Sequence, residues 1–213
     1  MDIDTIKKII QDFFQEGTVT IVGSGLSLAE GIPGMGELAK KLQMEIPGLL
    51  SATGDIKNWN NIENDLAKGV GLEEALHNTK PSSYVEECIR KVTAIYIGEA
   101  DKRLLTDIVK TGKQLRFSEY LQRFNIRNEG MTVITTNYDR LLEYACETNE
   151  IMADTLFVGK YIARFKPNQS KYASCIGVQR TNGKGKKLQY SPRVIILKPH
   201  GCLSWHSFIS YIK

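Results

Sequence analysis

The chain has 213 residues, of which 42% are hydrophobic and 24% are charged, the composition of a soluble globular domain. No apolar run approaches the roughly 20 residues needed to cross a bilayer, and the N-terminus lacks the basic and apolar blocks of a secretion signal. We therefore expect a cytoplasmic protein with no membrane partner. The four cysteines stand far apart without a CxxC pair, which predicts free, mostly buried thiols and no metal site.

Charge is distributed unevenly along the chain. The net charge is +4, yet no acidic residue follows Asp154, whereas eleven lysines and arginines do. Such a basic segment is typical of a site that binds an anionic ligand or nucleic acid. It is equally consistent with packing on acidic protein outside this chain. Nucleic acid is disfavoured, because no recognisable nucleic-acid module with interleaved aromatic residues accompanies the charge.

The first elements are a helix, a strand and a glycine turn. Isoleucines between residues 3 and 10 recur at helical spacing, and Gly17 is placed to end that helix. Residues 18–22, T-V-T-I-V, are β-branched and short, as a buried strand should be. Residues 23–25, G-S-G, predict a turn, and a helix is expected to start near Ser27.

The remainder predicts helices and then further strands. Residues 36–128 are mostly helical in pattern, whereas M-T-V-I-T-T at 131–136 is a second buried strand followed at once by a helix from Tyr138. The run T-N-G-K-G-K-K at 181–187 predicts a hairpin turn. R-V-I-I-L-K at 193–198 is a third buried strand, broken by Pro-His-Gly.

This order predicts an α/β, Rossmann-like fold, with a largely parallel sheet, helices on both faces and a helical insertion. We assign residues 1–35 and 129–213 to the core and 36–128 to the insertion. Ligands bind such sheets beyond the carboxyl ends of the strands. The three strand ends carry unusual polar or glycine residues, which we expect to meet in one crevice: Gly23, Gly25, Asn137, Asp139 and His200.

The glycine turn predicts a phosphate site without matching two common phosphate-binding motifs. Glycines let the backbone approach a ligand, and the following helix directs its N–H groups there. However, Leu28 occupies the third glycine position of the dehydrogenase pattern G-x-G-x-x-G, which disfavours hydride transfer. A P-loop is excluded, because G-x-x-x-x-G-K-[ST] does not occur.

Three segments resemble the sirtuin family, and they occur in the sirtuin order. G-S-G-L-S-L-A-E-G-I-P at 23–33 resembles Gly-Ala-Gly-Ile-Ser-x-x-Ser-Gly-Ile-Pro, T-T-N-Y-D at 135–139 resembles Thr-Gln-Asn-Ile-Asp, and P-H-G at 199–201 resembles the sirtuin His-Gly. The resemblance implies NAD binding with Asn137 and His200 as catalytic residues. It also implies an NAD-contacting set: Gly23, Ser24, Gly25, Leu26, Ser27, Gly31, Ile32, Pro33, Thr136, Asn137, Asp139 and Gly201.

The chemistry of NAD cleavage suits these residue types. Breaking the nicotinamide–ribose bond passes through an oxocarbenium-like state, as in glycoside hydrolysis. An amide such as that of Asn137 can orient a water and a ribose hydroxyl, and the imidazole of His200 can accept a proton at neutral pH. Each residue also has a purely structural alternative: Asn137 caps the helix from Tyr138, Asp139 is a first-turn acid, and His200 is a strand-end histidine.

Departures from the sirtuin pattern indicate which relatives the chain is most like. Gly34, Met35 and Gly36 replace the family's Asp-Phe-Arg, and the paired cysteines of the deacylase zinc module are absent. The pattern most resembles the SIR2-like domain of bacterial antiphage defence proteins, which hydrolyse NAD to nicotinamide and ADP-ribose. Two alternatives stay open: an NAD-dependent protein deacylase, and a non-catalytic module that binds NAD or ADP-ribose or mediates assembly.

The resemblance also implies elements outside this sequence. The family's later strands, with their Phe-Gly-Glu and Gly-Thr-Ser elements, have no counterpart after His200. We therefore expect the C-terminal strands of the fold to be missing from this chain, and hydrolysis to be weak or absent without them. By analogy with the family, we expect a C-terminal sensor region or partner protein, and a homo-oligomer.

Overall fold

The computed structural model describes residues 2–12, 17–124, 130–159, 162–180 and 186–204. The described residues form two compact units. The first contains the residues up to Leu26 and those from Lys113 to Ser204, and the second is Ser27–Gly112.

The first unit is built on a parallel sheet of four strands. In chain order these are β1 (Val19–Val22), β2 (Met131–Thr135), β3 (Met152–Asp154) and a final strand, β8 (Arg193–Leu197). Their order across the sheet is β1-β2-β8-β3, and all neighbours run parallel. Because the strands are parallel, the chain must cross from the end of each strand back to the level where the next one starts. Such crossover connections usually contain helices.

Two small antiparallel pairs lie between β3 and β8 in the sequence. The first pairs β4 (Phe157–Val158) with β5 (Arg164–Phe165), and the second pairs β6 (Cys175–Arg180) with β7 (Lys186–Tyr190). The second pair confirms the predicted hairpin, although most of its turn, residues 181–185, lies outside the described residues.

The two faces of the parallel sheet differ in burial. One face carries the core of this unit, where the side chains of Val133, Val194 and Ile196 are at most 1% exposed. The opposite face is less covered, and at the β1 edge Ile21 is 80% exposed. A hydrogen bond of 2.7 Å between Thr20 Oγ1 and Tyr120 Oη joins β1 to a helix that follows the insertion.

The helices of the first unit are short. The unit contains α1 (Ile3–Asp12), α7 (Arg116–Leu121), α8 (Leu141–Glu147) and α9 (Pro167–Ala173). Helix α2 (Ser24–Ala29) begins directly after β1, and its residues are divided between the two units. The isoleucines of α1 form the predicted stripe, but all four are at least 43% exposed. Residues 13–16, which the sequence placed in this helix, lie outside the described part of the chain.

The second unit is helical. It contains α3 (Met35–Glu45), a 3-10 helix (Ile46–Leu49), α4 (Thr53–Ala67), α5 (Leu72–Asn78) and α6 (Ser83–Thr111). Its core gathers side chains from each of these, including the fully buried Leu42, Ile46 and Ile62. The Ser82 hydroxyl accepts a hydrogen bond from Val85 N at the start of α6, and Gly112 ends that helix with φ +67°.

The predicted α/β, Rossmann-like fold is confirmed: a parallel four-stranded sheet has helices around it. The helical pattern of the insertion is also correct. Two helix starts were wrong. Helix α2 begins at Ser24 and therefore includes Gly25, and the carbonyl oxygen of Gly23 accepts from Leu26 N in its first turn. Helix α8 begins at Leu141, because residues 136–140 form a loop held by hydrogen bonds from neighbouring elements.

Candidate functional site

The carboxyl ends of β1, β2 and β8 lie at one edge of the sheet. Val22 is in register with Thr135, and Ile134 is in register with Leu197, so the three strands end at nearly the same level. Strand β2 lies between the other two. The loop that follows β2 is therefore placed to contact the segments after both β1 and β8.

Asn137 makes the contact with the segment after β1. Its Nδ2 atom donates a hydrogen bond of 2.9 Å to the carbonyl oxygen of Gly23, and its own N–H donates to Thr135 Oγ1 at 3.1 Å. The helix that follows begins only at Leu141, so Asn137 is not its cap. The capping alternative for this residue is thus excluded, and the amide is directed towards the glycine turn.

Asp139 has a structural role in the same loop. Its carboxylate is buried, and Oδ1 accepts a hydrogen bond from Leu141 N at 3.1 Å, at the start of α8. This is the kind of local bond by which an aspartate stabilises a turn before a helix. The alternative that Asp139 is a first-turn acid was wrong, because Asp139 precedes α8 and stabilises the turn before it. A contact of Asp139 with ribose remains a prediction.

The segment after β8 forms a tight turn around His200. Gly201 N donates to the carbonyl oxygen of Lys198 at 3.0 Å, and Gly201 has φ +97°, a conformation that favours glycine. His200 is exposed at the tip of this turn. Leu203 N then donates to the carbonyl oxygen of Tyr138 at 2.9 Å, which attaches this segment to the loop that carries Asn137.

A buried ion pair that the sequence did not predict lies beneath these loops. The side chain of Lys198 is 1% exposed, and its Nζ lies 3.1 Å from Glu143 Oε1. The same ammonium donates to the carbonyl oxygen of Asp139. Burial raises the pKa of Glu143 above its ordinary value, and the nearby Lys198 charge opposes that shift.

One signal in the sequence could have identified Lys198. It is a single cation at the end of an apolar strand, immediately before Pro-His-Gly, where a buried charge requires a partner. Its partner was harder to find, since Glu143 is one of several acids on a helical segment. Only the tertiary fold brings the carboxylate to the ammonium.

The glycine turn and the first turn of α2 hold four further predicted residues. Gly23, Ser24 and Gly25 are exposed and Leu26 is half-buried, and Leu26 N donates to Gly23 O at 3.3 Å. A Cβ atom added to Gly23 or Gly25 would meet no atom within 4 Å. The backbone here is therefore accessible on the side where a side chain would otherwise project. Thr136, on the loop after β2, is exposed as well.

The other predicted residues of the first motif belong to the second unit. Ser27 and Ile32 are buried, and Ile32 N donates to Ser27 O at 2.9 Å. Gly31 has φ +87° and donates to Leu28 O at 3.1 Å, which turns the chain towards Pro33. The contacts of Ser27, Gly31 and Ile32 thus form the end of α2. The part of these three residues and of Pro33 in binding NAD remains a prediction.

Part of the chain is similar to a known protein family. The family model described as the SIR2-like domain matches residues 131–211. The matched segment begins at the first residue of β2 and includes both Asn137 and His200. No curated protein matches the chain significantly.

The described residues contain neither a candidate membrane-spanning helix nor a candidate metal-binding cluster. No helix in this part of the chain is both long and apolar enough to span a membrane. Within the same residues, no group of three or more histidine, cysteine, aspartate or glutamate side chains is arranged to hold a metal ion.

The four cysteines are free thiols: Cys88, Cys146, Cys175 and Cys202. Burial raises the pKa of Cys146 to about 12.

Proposed function

We propose that this chain carries an NAD hydrolase domain, which cleaves NAD to nicotinamide and ADP-ribose. The observation that supports the proposal most directly is the hydrogen bond from Asn137 Nδ2 to Gly23 O. It joins the second and first sirtuin-like motifs, which are 114 residues apart in the sequence. The bond from Leu203 N to Tyr138 O attaches the segment just after the third motif, and the SIR2-like match includes the second and third motifs.

Asn137 would orient the attacking water and the ribose. A carbonyl oxygen can only accept, so the bond to Gly23 fixes which side of the amide carries nitrogen and which carries oxygen. An oxygen fixed in this way can accept a hydrogen bond from water or from a ribose hydroxyl. Holding both reactants in one geometry is a large source of rate enhancement.

His200 would accept a proton, and the glycine turn would bind phosphate. The imidazole lies on an exposed turn of the same edge of the sheet, and a positioned histidine is the commonest general base. The nicotinamide leaving group is cationic, so its departure requires no strong acid. The open backbone at Gly23 and Gly25 would allow the pyrophosphate to approach the N–H groups of Ser24 and Gly25.

We further propose that the protein acts in bacterial defence against phage. The replacement of Asp-Phe-Arg by Gly34, Met35 and Gly36, and the lack of a deacylase zinc module, favour a bacterial, cytoplasmic antiphage effector over a deacylase. We propose that a C-terminal sensor region or a partner protein controls it, and that it works as a homo-oligomer. Expression in bacteria challenged with phage tests this: cellular NAD should fall in infected cells with the parent protein, and should not fall with Asn137→Ala.

The decisive experiment measures nicotinamide release from NAD by the full-length protein. We expect release without any acetylated peptide, and loss of release in both Asn137→Ala and His200→Ala. Release that requires acetylated peptide would identify a deacylase instead. A shift of the melting temperature with NAD or ADP-ribose but no product would identify a binding module, and two variants as active as the parent would refute the proposed site.

A further inference from the structure

The buried side chain of Lys198 connects two loops that the proposed reaction requires. Its Nζ donates to the carbonyl oxygen of Asp139, two residues after Asn137, and it also pairs with Glu143 Oε1 at 3.1 Å. Its own carbonyl oxygen accepts from Gly201 N at 3.0 Å and so closes the turn around His200. One residue therefore contacts the Asn137 loop through its side chain and the His200 turn through its main chain.

We propose that Lys198 is a positioning residue, which fixes Asn137 and His200 relative to each other through this double attachment. The inference rests on the proposed function, because it concerns the geometry of that site. Lys198 touches no reacting atom in the proposal. It acts through the Asp139 carbonyl on one side and the Gly201 amide on the other.

Burial makes the attachment strong and specific. An ammonium that is 1% exposed has no water to replace a lost acceptor, so it is held at the Asp139 carbonyl and the Glu143 carboxylate. The bond from Leu203 N to Tyr138 O makes a second attachment three residues beyond His200. The turn that carries the imidazole is thus attached to the Asn137 loop on both sides.

The carboxylate of Glu143 completes the arrangement. Its Oε1 pairs with Lys198, whereas Oε2 is buried and has no hydrogen-bond partner among the described residues. The ion pair therefore satisfies only half of a buried carboxylate, which is costly for stability alone. The loss of stability from this half-satisfied carboxylate is consistent with an ion pair that holds the two loops in position.

The test removes both charges together, so that no unpaired charge stays buried. In Lys198→Met combined with Glu143→Gln, the attachment to the Asp139 carbonyl is lost. We expect kcat for nicotinamide release by the full-length protein to fall about 100-fold with little change in KM for NAD, because small misplacements of catalytic groups have effects of this size. Lys198→Arg keeps a buried cation with donors and should recover part of that loss.

A matched control lies on the same strand. Arg193 is the first residue of β8, and its Nη1 pairs with the buried Asp154 Oδ2 at 2.6 Å. The double variant Arg193→Met with Asp154→Asn also removes a buried ion pair, but at the opposite end of β8 from His200. We expect kcat close to that of the parent, although the melting temperature should fall.

The outcomes separate the inference from the proposed function. Equal losses of kcat in the two double variants, or no loss in either, would overturn the positioning role. If the parent releases no nicotinamide, the proposed function fails. The positioning role of Lys198 is then tested by amide hydrogen exchange of the intact protein. Faster exchange at residues 136–140 and 200–203 in Lys198→Met with Glu143→Gln than in the control supports it, and equal exchange refutes it. If that variant does not fold, Lys198→Gln with Glu143→Gln replaces it, since the shorter neutral side chain also loses the bond to the Asp139 carbonyl, and exchange equal to that of the control again refutes the inference.

Discussion

The side-chain amide of Asn137 donates a 2.9 Å hydrogen bond to the carbonyl oxygen of Gly23, across 114 residues of sequence. The bond joins the loop after β2 to the turn after β1, at the edge of the sheet where parallel strands form ligand sites. An asparagine used only as a helix cap would accept from nearby amides, whereas Asn137 donates to a distant strand end.

The first prediction concerns this bond. In Asn137→Asp, a carboxylate oxygen replaces the donor and faces the Gly23 carbonyl, so attraction becomes repulsion. We expect about 1 kcal/mol lower free energy of unfolding, since the site is only half-buried, and about 100-fold slower nicotinamide release. Thermal unfolding and a nicotinamide assay measure the two effects.

Asn149 provides the control for that prediction. Its Nδ2 donates a 2.7 Å hydrogen bond to Ala145 O at the end of α8, so Asn149→Asp makes the same chemical change away from the strand ends. It should lower stability but leave turnover near the parent rate. If Asn149→Asp slowed turnover as much as Asn137→Asp, the effect would be one of general destabilisation.

The second prediction contrasts the two faces of the sheet. Ile196 is 1% exposed in the core, whereas Ile21 is 80% exposed on β1. Ile196→Ala should lower the free energy of unfolding by about 2 to 5 kcal/mol, because it removes buried methyl groups and leaves a cavity. Ile21→Ala should change it by less than about 0.5 kcal/mol. Denaturant unfolding of both variants checks the difference, and similar losses would contradict the burial of the two faces described here.

Local patterns were sufficient to predict the fold class. The β-branched runs at 18–22, 131–136 and 193–198 each became a parallel strand of the sheet. The expectation that the first run is buried was wrong, because β1 is an edge strand and only its last residue, Val22, is buried. Strand β3 was not predicted, since three residues carry too little pattern to be recognised. The helix starts after β1 and β2 were missed because long-range hydrogen bonds determine those loops.

The site could be predicted only in part. The motifs identified Asn137 and Gly23 as residues at strand ends, and the parallel order of β1, β2 and β8 explains why they meet. The sequence could not predict that Lys198 bonds to the Asp139 carbonyl. Every residue has a backbone carbonyl, so residue types do not indicate which carbonyl accepts a hydrogen bond. That contact can be identified only from the folded structure.

The third prediction uses two glycines with opposite surroundings. Gly98 lies within the long helix α6, and an added Cβ would meet no atom within 4 Å. Gly98→Ala should therefore stabilise the protein by about 0.5 to 1 kcal/mol, because alanine favours a helix over the unfolded chain. Gly159 has φ +148°, and a Cβ there would clash with the carbonyl oxygen of Ile162. Gly159→Ala should destabilise the β4–β5 pair. Paired melting curves measure both effects, and two shifts of the same sign would be inconsistent with these environments.

The last prediction follows from the raised pKa of Glu143. Burial is the main cause of the shift, the Lys198 charge opposes it, and the Asp139 charge adds to it. As the pH rises above the ordinary value of 4.5, the unfolded chain loses this proton first while the folded protein retains it. The folded state then binds more protons, so the contribution of Glu143 to the free energy of unfolding decreases with pH between 4.5 and the raised pKa.

Glu143→Gln removes this titration but keeps an acceptor for Lys198. We therefore expect the difference in free energy of unfolding, parent minus variant, to decrease as the pH rises from 4.5 through that window and to become constant above it. Urea unfolding at several pH values measures the difference, and Glu147→Gln on the same helix serves as a control for the loss of an exposed carboxylate. A difference that rises with pH would mean that Lys198 stabilises the carboxylate by more than burial destabilises it.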